Sequence, residues 1–305
     1  MWVVSTLNRF IRISQLIAVF LFTLSVLPFA YSGDRPLSLW YFESEGAKIY
    51  LLGSIHAMKP DMYPLAEPIL DAFNKAEKVV FEVDLEKLSA DETGLLMQQR
   101  GIYTFPDSIK GDLQPETLVL LEDYLAETGI DMDQVNRMKP WYLMLTVGQL
   151  ELNQLGFESE YGIDQYLQKR AAEEGKEILQ LETLQEQIEI LSGDSMFIQD
   201  LSLRASLEER SSVQEDLNLL VEAWQQGAAD KMLEMTLVSA AKYPELSVQM
   251  NSLIYERNTK MAHKIREYAA TSGTYLVVVG ALHMGGEQGL VHLLSQDYSV
   301  KQLTY

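Results

Sequence analysis

Two stretches near opposite ends of the chain place a histidine three residues after a glycine, each behind four apolar residues. The first is Ile49-Tyr50-Leu51-Leu52-Gly53-Ser54-Ile55-His56, and the second is Leu276-Val277-Val278-Val279-Gly280-Ala281-Leu282-His283. The chain holds only 4 histidines and 18 glycines among 305 residues, so chance supplies roughly 0.2 such Gly-x-x-His units in all. Neutral imidazoles ligate divalent transition ions or carry protons near neutral pH. Either histidine by itself reads equally as a core or loop residue bonded to a carbonyl. Their duplication favours one shared site. A carboxylate, Glu82, stands in the apolar run Val79-Val80-Phe81-Glu82-Val83-Asp84. Burying it unpaired would cost several kcal/mol, so it is expected to bind an ion or act in catalysis unless it faces water from an edge strand. Imidazoles and a carboxylate leave positions on an ion open for water and substrate. Such an ion acidifies its water and polarises a carbonyl, which is the chemistry of hydrolysis.

The elements that must position these groups are legible from periodicity. A short apolar run with polar flanks suits a strand buried on both faces, as in a parallel sheet. The glycine at its carboxyl end allows a sharp turn or close approach, and the histidine then sits at the rim where α/β sheets place ligands. Residues 39–43 and 47–53 flank Ser44-Glu45-Gly46 and predict a hairpin. Further strands are expected at 78–83, 176–181 (ending at Glu182) and 298–303. Helices are expected at 65–76, at 115–127 behind Pro115, and at 163–174 before Gly175. A buried helix, apolar almost all round, is expected over 140–155. Ser89-x-x-Glu92 and Thr183-x-x-Glu186 have the form of capping boxes. A helical stretch from 195 to 272 breaks at Gly227 and Tyr243-Pro244, and a last helix spans 286–295. The fold class is therefore α/β: a mixed, largely parallel sheet flanked by helices, with a helical insertion over residues 90–160 or 195–250.

Arg9 and Arg12 precede an apolar run over residues 13–30, and Ala30-Tyr31-Ser32 suits a cut after Ser32. This predicts a signal peptide, residues 1–32, and a single domain over residues 33–305 in the periplasm or outside the cell. The alternative is an uncleaved membrane anchor formed by residues 13–30. Removing the two leader arginines takes the formal charge from −20 to −22. That charge argues against nucleic acid and anionic lipid as partners, leaving the membrane only through an uncleaved leader. Cysteine is absent, which excludes disulfides, thiolate nucleophiles and thiolate zinc sites. No Walker motif, dinucleotide fingerprint, Gly-x-Ser-x-Gly elbow or His-Glu-x-x-His occurs.

Taken in order, these pieces resemble the TraB/GumN family, related to the Tiki metalloproteases and distantly to erythromycin-esterase and ChaN-like proteins. The resemblance rests on Leu51-Leu52-Gly53-Ser54-Ile55-His56 with Tyr63-Pro64-Leu65, and on Val80-Phe81-Glu82-Val83-Asp84. It continues through Gly162-Ile163-Asp164, Gly175-Lys176, Leu181-Glu182-Thr183 and Gln187. Glu256-Arg257-Asn258 and Val279-Gly280-Ala281-Leu282-His283 complete it. It implies one metal-dependent active site made by both Gly-x-x-His units and the strand glutamate. His56, Glu82 and His283 are then the metal-ligand candidates, for Mn, Co or Zn. Arg257 is a candidate for a substrate carboxylate or a developing oxyanion, or else caps its helix or pairs with an acid. Glu182 or Asp164 would serve as base or orient a ligand, with a structural role for Glu182 as the plainer alternative. His263 and His292 fall on helices as ordinary packing or surface residues. The expected function is an exported metal-dependent hydrolase of peptides or of a small-molecule substrate, most directly a peptidase. An esterase, or a non-catalytic metal- or haem-binding envelope protein, is the alternative.

Overall fold

The computed structural model describes residues 35–240 and 242–305. The expected signal peptide with Arg9 and Arg12, and the alternative anchor at 13–30, lie outside the described residues. Among the described residues no helix is long and apolar enough to cross a membrane.

Six strands form one sheet: β1 (Pro36–Glu43), β2 (Ala47–Ser54), β3 (Lys78–Phe81), β4 (Glu177–Gln180), β5 (Gly273–Gly280) and β6 (Lys301–Thr304). Their spatial order is β4-β3-β5-β2-β1-β6. The first four in that order run parallel, while β1 pairs antiparallel with both β2 and β6. The predicted hairpin is present, closed by the Ser44 N–H donating to the Ala47 carbonyl at 3.0 Å. The sheet is thus mixed and largely parallel, as the alternation of apolar strand runs and helices requires.

Period-two alternation divides the core into two layers. Val79, Phe81, Leu276 and Val278 face one side, with Ile69, Phe73 and Leu167 from the helices Glu67–Lys75 and Ile163–Glu173. Val80, Val277 and Val279 face the other, against Met261 and Ile265 of Glu256–Ala269 and Leu290 and Leu294 of Leu290–Ser295. Burying each such side chain contributes about 1.5–3 kcal/mol.

The helical insertion draws on both candidate stretches. Leu121, Tyr124 and Leu125 of Pro115–Thr128 and Leu143 and Val147 of Pro140–Gln154 share a core with Leu203 and Leu207 of Met196–Glu208. Neither span buries its apolar stripe alone. Pro140–Gln154 departs from expectation in being one-sided: Trp141, Leu143 and Val147 are buried, whereas Leu145 is exposed. Both capping boxes form, at Ser89 and at Thr183.

Candidate functional site

Each of the four parallel strands delivers one polar group to its carboxyl-terminal rim. Along the sheet these are Glu182 after β4, Glu82 after β3, His283 after β5 and His56 after β2. Glu82 is not embedded in its strand as the sequence suggested; β3 ends at Phe81 and Glu82 follows it. The ladder continues into the rim through Leu181 N–H to the Phe81 carbonyl at 2.9 Å and Glu182 N–H to the Glu82 carbonyl at 2.8 Å. The two carboxylates consequently stand side by side.

The two Gly-x-x-His strands are direct neighbours, offset by one residue: Gly53 pairs with Val279 and Ser54 with Gly280. Gly280 leaves little room for a side chain. A Cβ there would lie 3.3 Å from His56 Nε2 and 3.4 Å from Glu82 Oε1, with His283 Cδ2 at 3.6 Å. Both histidines and the glutamate therefore converge over one glycine. Gly53 meets the same turn from β2, where a Cβ would be 3.1 Å from the Ala281 Cα.

Each imidazole is held from behind. His283 Nδ1 donates to Asn258 Oδ1 at 2.6 Å, and Asn258 is fixed in turn by its amide donating to the Gln288 carbonyl at 2.8 Å. His56 Nδ1 donates to Asp164 Oδ2 at 3.1 Å. Asp164 is brought there by the Ile163 N–H, which donates to the Ile55 carbonyl at 2.9 Å. With Nδ1 occupied in both rings, both Nε2 atoms face the site. The rings differ in surroundings. The His283 side chain is 4% exposed and that of His56 65%. Burial pushes His283 down to about 4, whereas the hydrogen bond to Asp164 holds His56 up at about 9.

Glu82 Oε1 accepts the Gly280 N–H at 2.7 Å and lies 4.0 Å from His283 Nε2. Its Oε2 accepts from Gln187 Nε2 at 3.0 Å and from the Arg257 guanidinium. Burial opposes ionisation of Glu82. The neighbouring His283, His56 and Arg257, with the Gly280 N–H, outweigh it and hold the carboxyl near 2. Arg257 also donates through Nε to both oxygens of Glu182 at 3.0 Å, and through Nη1 to the Leu253 carbonyl at 2.9 Å. It is the clamp between two buried acids. Of the two structural options left open for it, pairing with acids is the one found.

Among the described residues, no group of three or more His, Cys, Asp or Glu stands already at mutual ligand spacing. Two ligand bonds of about 2.0–2.2 Å place tetrahedral donors roughly 3.3–3.6 Å apart. The 4.0 Å from Glu82 Oε1 to His283 Nε2 is somewhat longer than that, and Oε1 keeps a lone pair. His56, His283 and Glu82 offer the nitrogen and oxygen donors that suit a divalent transition ion, and would have to draw closer together to hold one.

Two cavities meet at this point and share Ser54, His56, Glu82, Leu253 and Arg257. One, of about 410 Å³, extends past Asp164, Gln168 and Gln187; the other, of about 260 Å³, extends past Met232, Ile254 and His283. Ser54 Oγ and Asp164 Oδ1 are buried without a protein partner and both residues line the first. The sequence motifs assign no role to Asn258 or Gln187. The signal for Asn258 was there: it falls on the buried stripe of Met261, Ala262, Ile265 and Ala269, a polar residue at a core position. Gln187 carried no comparable signal. His263 and His292 are exposed on their helices, away from the rim.

A family model described as the TraB/PrgY/gumN family matches residues 38–302. An uncharacterized protein, YbaP, of Escherichia coli (strain K12) is 26% identical over 80% of this chain and 87% of its own. An uncharacterized protein of Treponema pallidum (strain Nichols) is 24% identical over 61% of this chain and 60% of its own. A protein of Amphimedon queenslandica named a metalloprotease TIKI homolog is 26% identical over 55% of this chain and 38% of its own. No solved structure gives a significant match.

Proposed function

The chain belongs to the TraB/PrgY/gumN family, and on that premise we propose that it is an exported metal-dependent hydrolase, a peptidase in the first instance. The carrying observation is the pair of imidazoles whose Nδ1 atoms are held by Asp164 and Asn258 while both Nε2 atoms face Glu82 across Gly280. The peptidase reading draws in addition on the relative named a metalloprotease homolog.

His56, His283 and Glu82 Oε1 would hold the ion, Mn, Co or Zn. When bound it supplies a polarised carbonyl and an acidified water. Everything else is done by the chain. Asn258 and Asp164 set the tautomers and fix the rings. Arg257 and Gln187 keep Glu82 ionised and its Oε1 turned toward the histidines. Arg257 lines both cavities, and its positive charge there would stabilise charge developing on a substrate. Glu182 holds Arg257 in place rather than moving a proton, a positioning role.

The test is a metal analysis of the purified protein beside His56→Ala and His283→Ala, followed by peptide and ester panels with Mn, Co or Zn supplied after chelation. Loss of the ion and of hydrolysis in both variants, with helical signal retained, is expected. Hydrolysis that survives chelation and both substitutions would end the metal-hydrolase reading. One observation favours a non-catalytic, metal-binding alternative: the Glu82 carboxylate is already satisfied by three donors. A metal-loaded protein inert across the panel would put that alternative ahead.

A further inference from the structure

The two cavities at the rim differ in character. The one containing Asp164, Gln168 and Gln187 mixes these polar side chains with apolar ones such as Phe81, Leu85 and Ile190. Beyond the shared wall, the other is closed by Leu220, Met232, Ile254 and Leu282. Its volume of about 260 Å³ exceeds the roughly 150 Å³ that suffices for an apolar cavity to hold benzene. It opens on His56, Glu82 and His283, the same three side chains that converge over Gly280.

The wall is built with some care. Asn251–Tyr255 is a turn of π-helix leading into Glu256–Ala269, a distortion found mainly at functional sites. Leu253 from this turn lines both cavities and Ile254 lines the apolar one, while Arg257 grips the Leu253 carbonyl. The opposite wall comes from the helices Val213–Gln225 and Ala229–Ala240, which contribute Leu220 and Met232. Trp224 ties that wall to the site strand by donating from Nε1 to the Gly53 carbonyl at 2.6 Å. Apolar walls on two sides and reactive groups at the mouth are the features of a specificity pocket.

We infer that this cavity receives a bulky apolar side chain, branched aliphatic or aromatic, of a substrate whose reacting bond lies over Gly280, with Leu220 and Met232 setting the size accepted. This rests on the hydrolase reading for its place in a reaction, but the pocket is testable without turnover. Leu220 and Met232 belong to neither the metal-ligand candidates nor their supports, so changes there leave the reacting groups intact.

Binding of toluene and 3-methylbutan-1-ol to the full chain would be measured by ligand-observed NMR, with thermal unfolding as the folding control. The wild type should bind at least one probe, and Leu220→Trp, which fills the pocket from its half-buried rim, should weaken it about tenfold or more. Met232→Ala should retain the small probes and admit larger ones such as naphthalene. In parallel, peptide cleavage beside Leu, Phe or Met should fall about tenfold or more in Leu220→Trp, on the scale by which apolar pockets discriminate side chains. Cleavage beside Gly or Ala should stay within about threefold. Probes that fail to bind the wild type, or bind a folded Leu220→Trp equally well, would overturn the pocket. Probe binding that follows the pattern while every peptide stays intact would uphold the pocket and remove the peptidase reading instead.

Discussion

Asn258 accepts the Nδ1–H of His283 at 2.6 Å, and both residues are buried between the helix Glu256–Ala269 and the rim of β5. Burial keeps the ring neutral, and this bond keeps its Nε2 turned toward Glu82. Replacing Asn258 by Ala should lower metal affinity about 10–100-fold, the usual cost of losing the partner behind a ligating histidine. Asn258→Asp, which keeps the acceptor, should recover part of it. Titration calorimetry with Zn or Mn on the three proteins checks this.

Asp164 acts in the same way on His56 but in a more open position. Its carboxylate is the main reason that His56 titrates near 9 rather than at its ordinary value. In Asp164→Asn the imidazole pKa should therefore fall, because the charged acceptor that stabilises imidazolium is gone. NMR titration of the His56 ring in metal-free protein reads this directly. A His56 pKa unchanged by the substitution would contradict the contact.

Arg257 holds two buried carboxylates apart. Arg257→Met leaves Glu82 and Glu182 facing each other without a counter-charge and should destabilise the protein by about 3–5 kcal/mol. Adding Glu182→Gln should restore part of that loss, a non-additivity that a double-mutant cycle in urea would expose. Where the protein still folds, turnover should drop while the ion is retained through the histidines.

The helical insertion supplies a pH-dependent contribution remote from the site. Lys242 and Tyr243 hydrogen-bond to Glu208, with Arg204 as a further partner, and hold its carboxyl at about 2. A depressed folded pKa means stability that is full above the ordinary carboxylate value, about 4.5, and lost as pH falls toward 2. Glu208→Gln should thus be less stable than wild type by roughly 1 kcal/mol near pH 7, the scale of partly exposed ion pairs. That gap should close progressively below about pH 4.5 in thermal or urea unfolding.

Export rests on Arg9, Arg12 and the apolar run after them. Protein recovered from the native host should begin near residue 33. An intact Met1 on protein outside the membrane fraction would rule this out. An intact Met1 within that fraction would support the anchor.

The local signals in the chain carried a good deal. Four apolar residues before Gly53 and before Gly280 predicted buried parallel strands, and those strands are adjacent. The capping boxes at Ser89 and Thr183 and the turn at Ser44 form where local hydrogen-bonding rules put them. Such features depend on residues a few positions apart, so spacing and residue type are enough to specify them. What depended on tertiary structure spans tens to hundreds of residues. The one-residue offset between the histidine strands follows from the register of β2 on β5. The side-by-side placement of Glu82 and Glu182 follows from β3 pairing with β4, and Arg257 becomes their clamp only once its helix packs over that edge. Likewise the helical insertion drew on both candidate spans because neither could bury its apolar stripe alone. Periodicity records which face of an element is apolar, but not which distant element covers it; that is settled by packing, where close contact and register decide which polar groups meet.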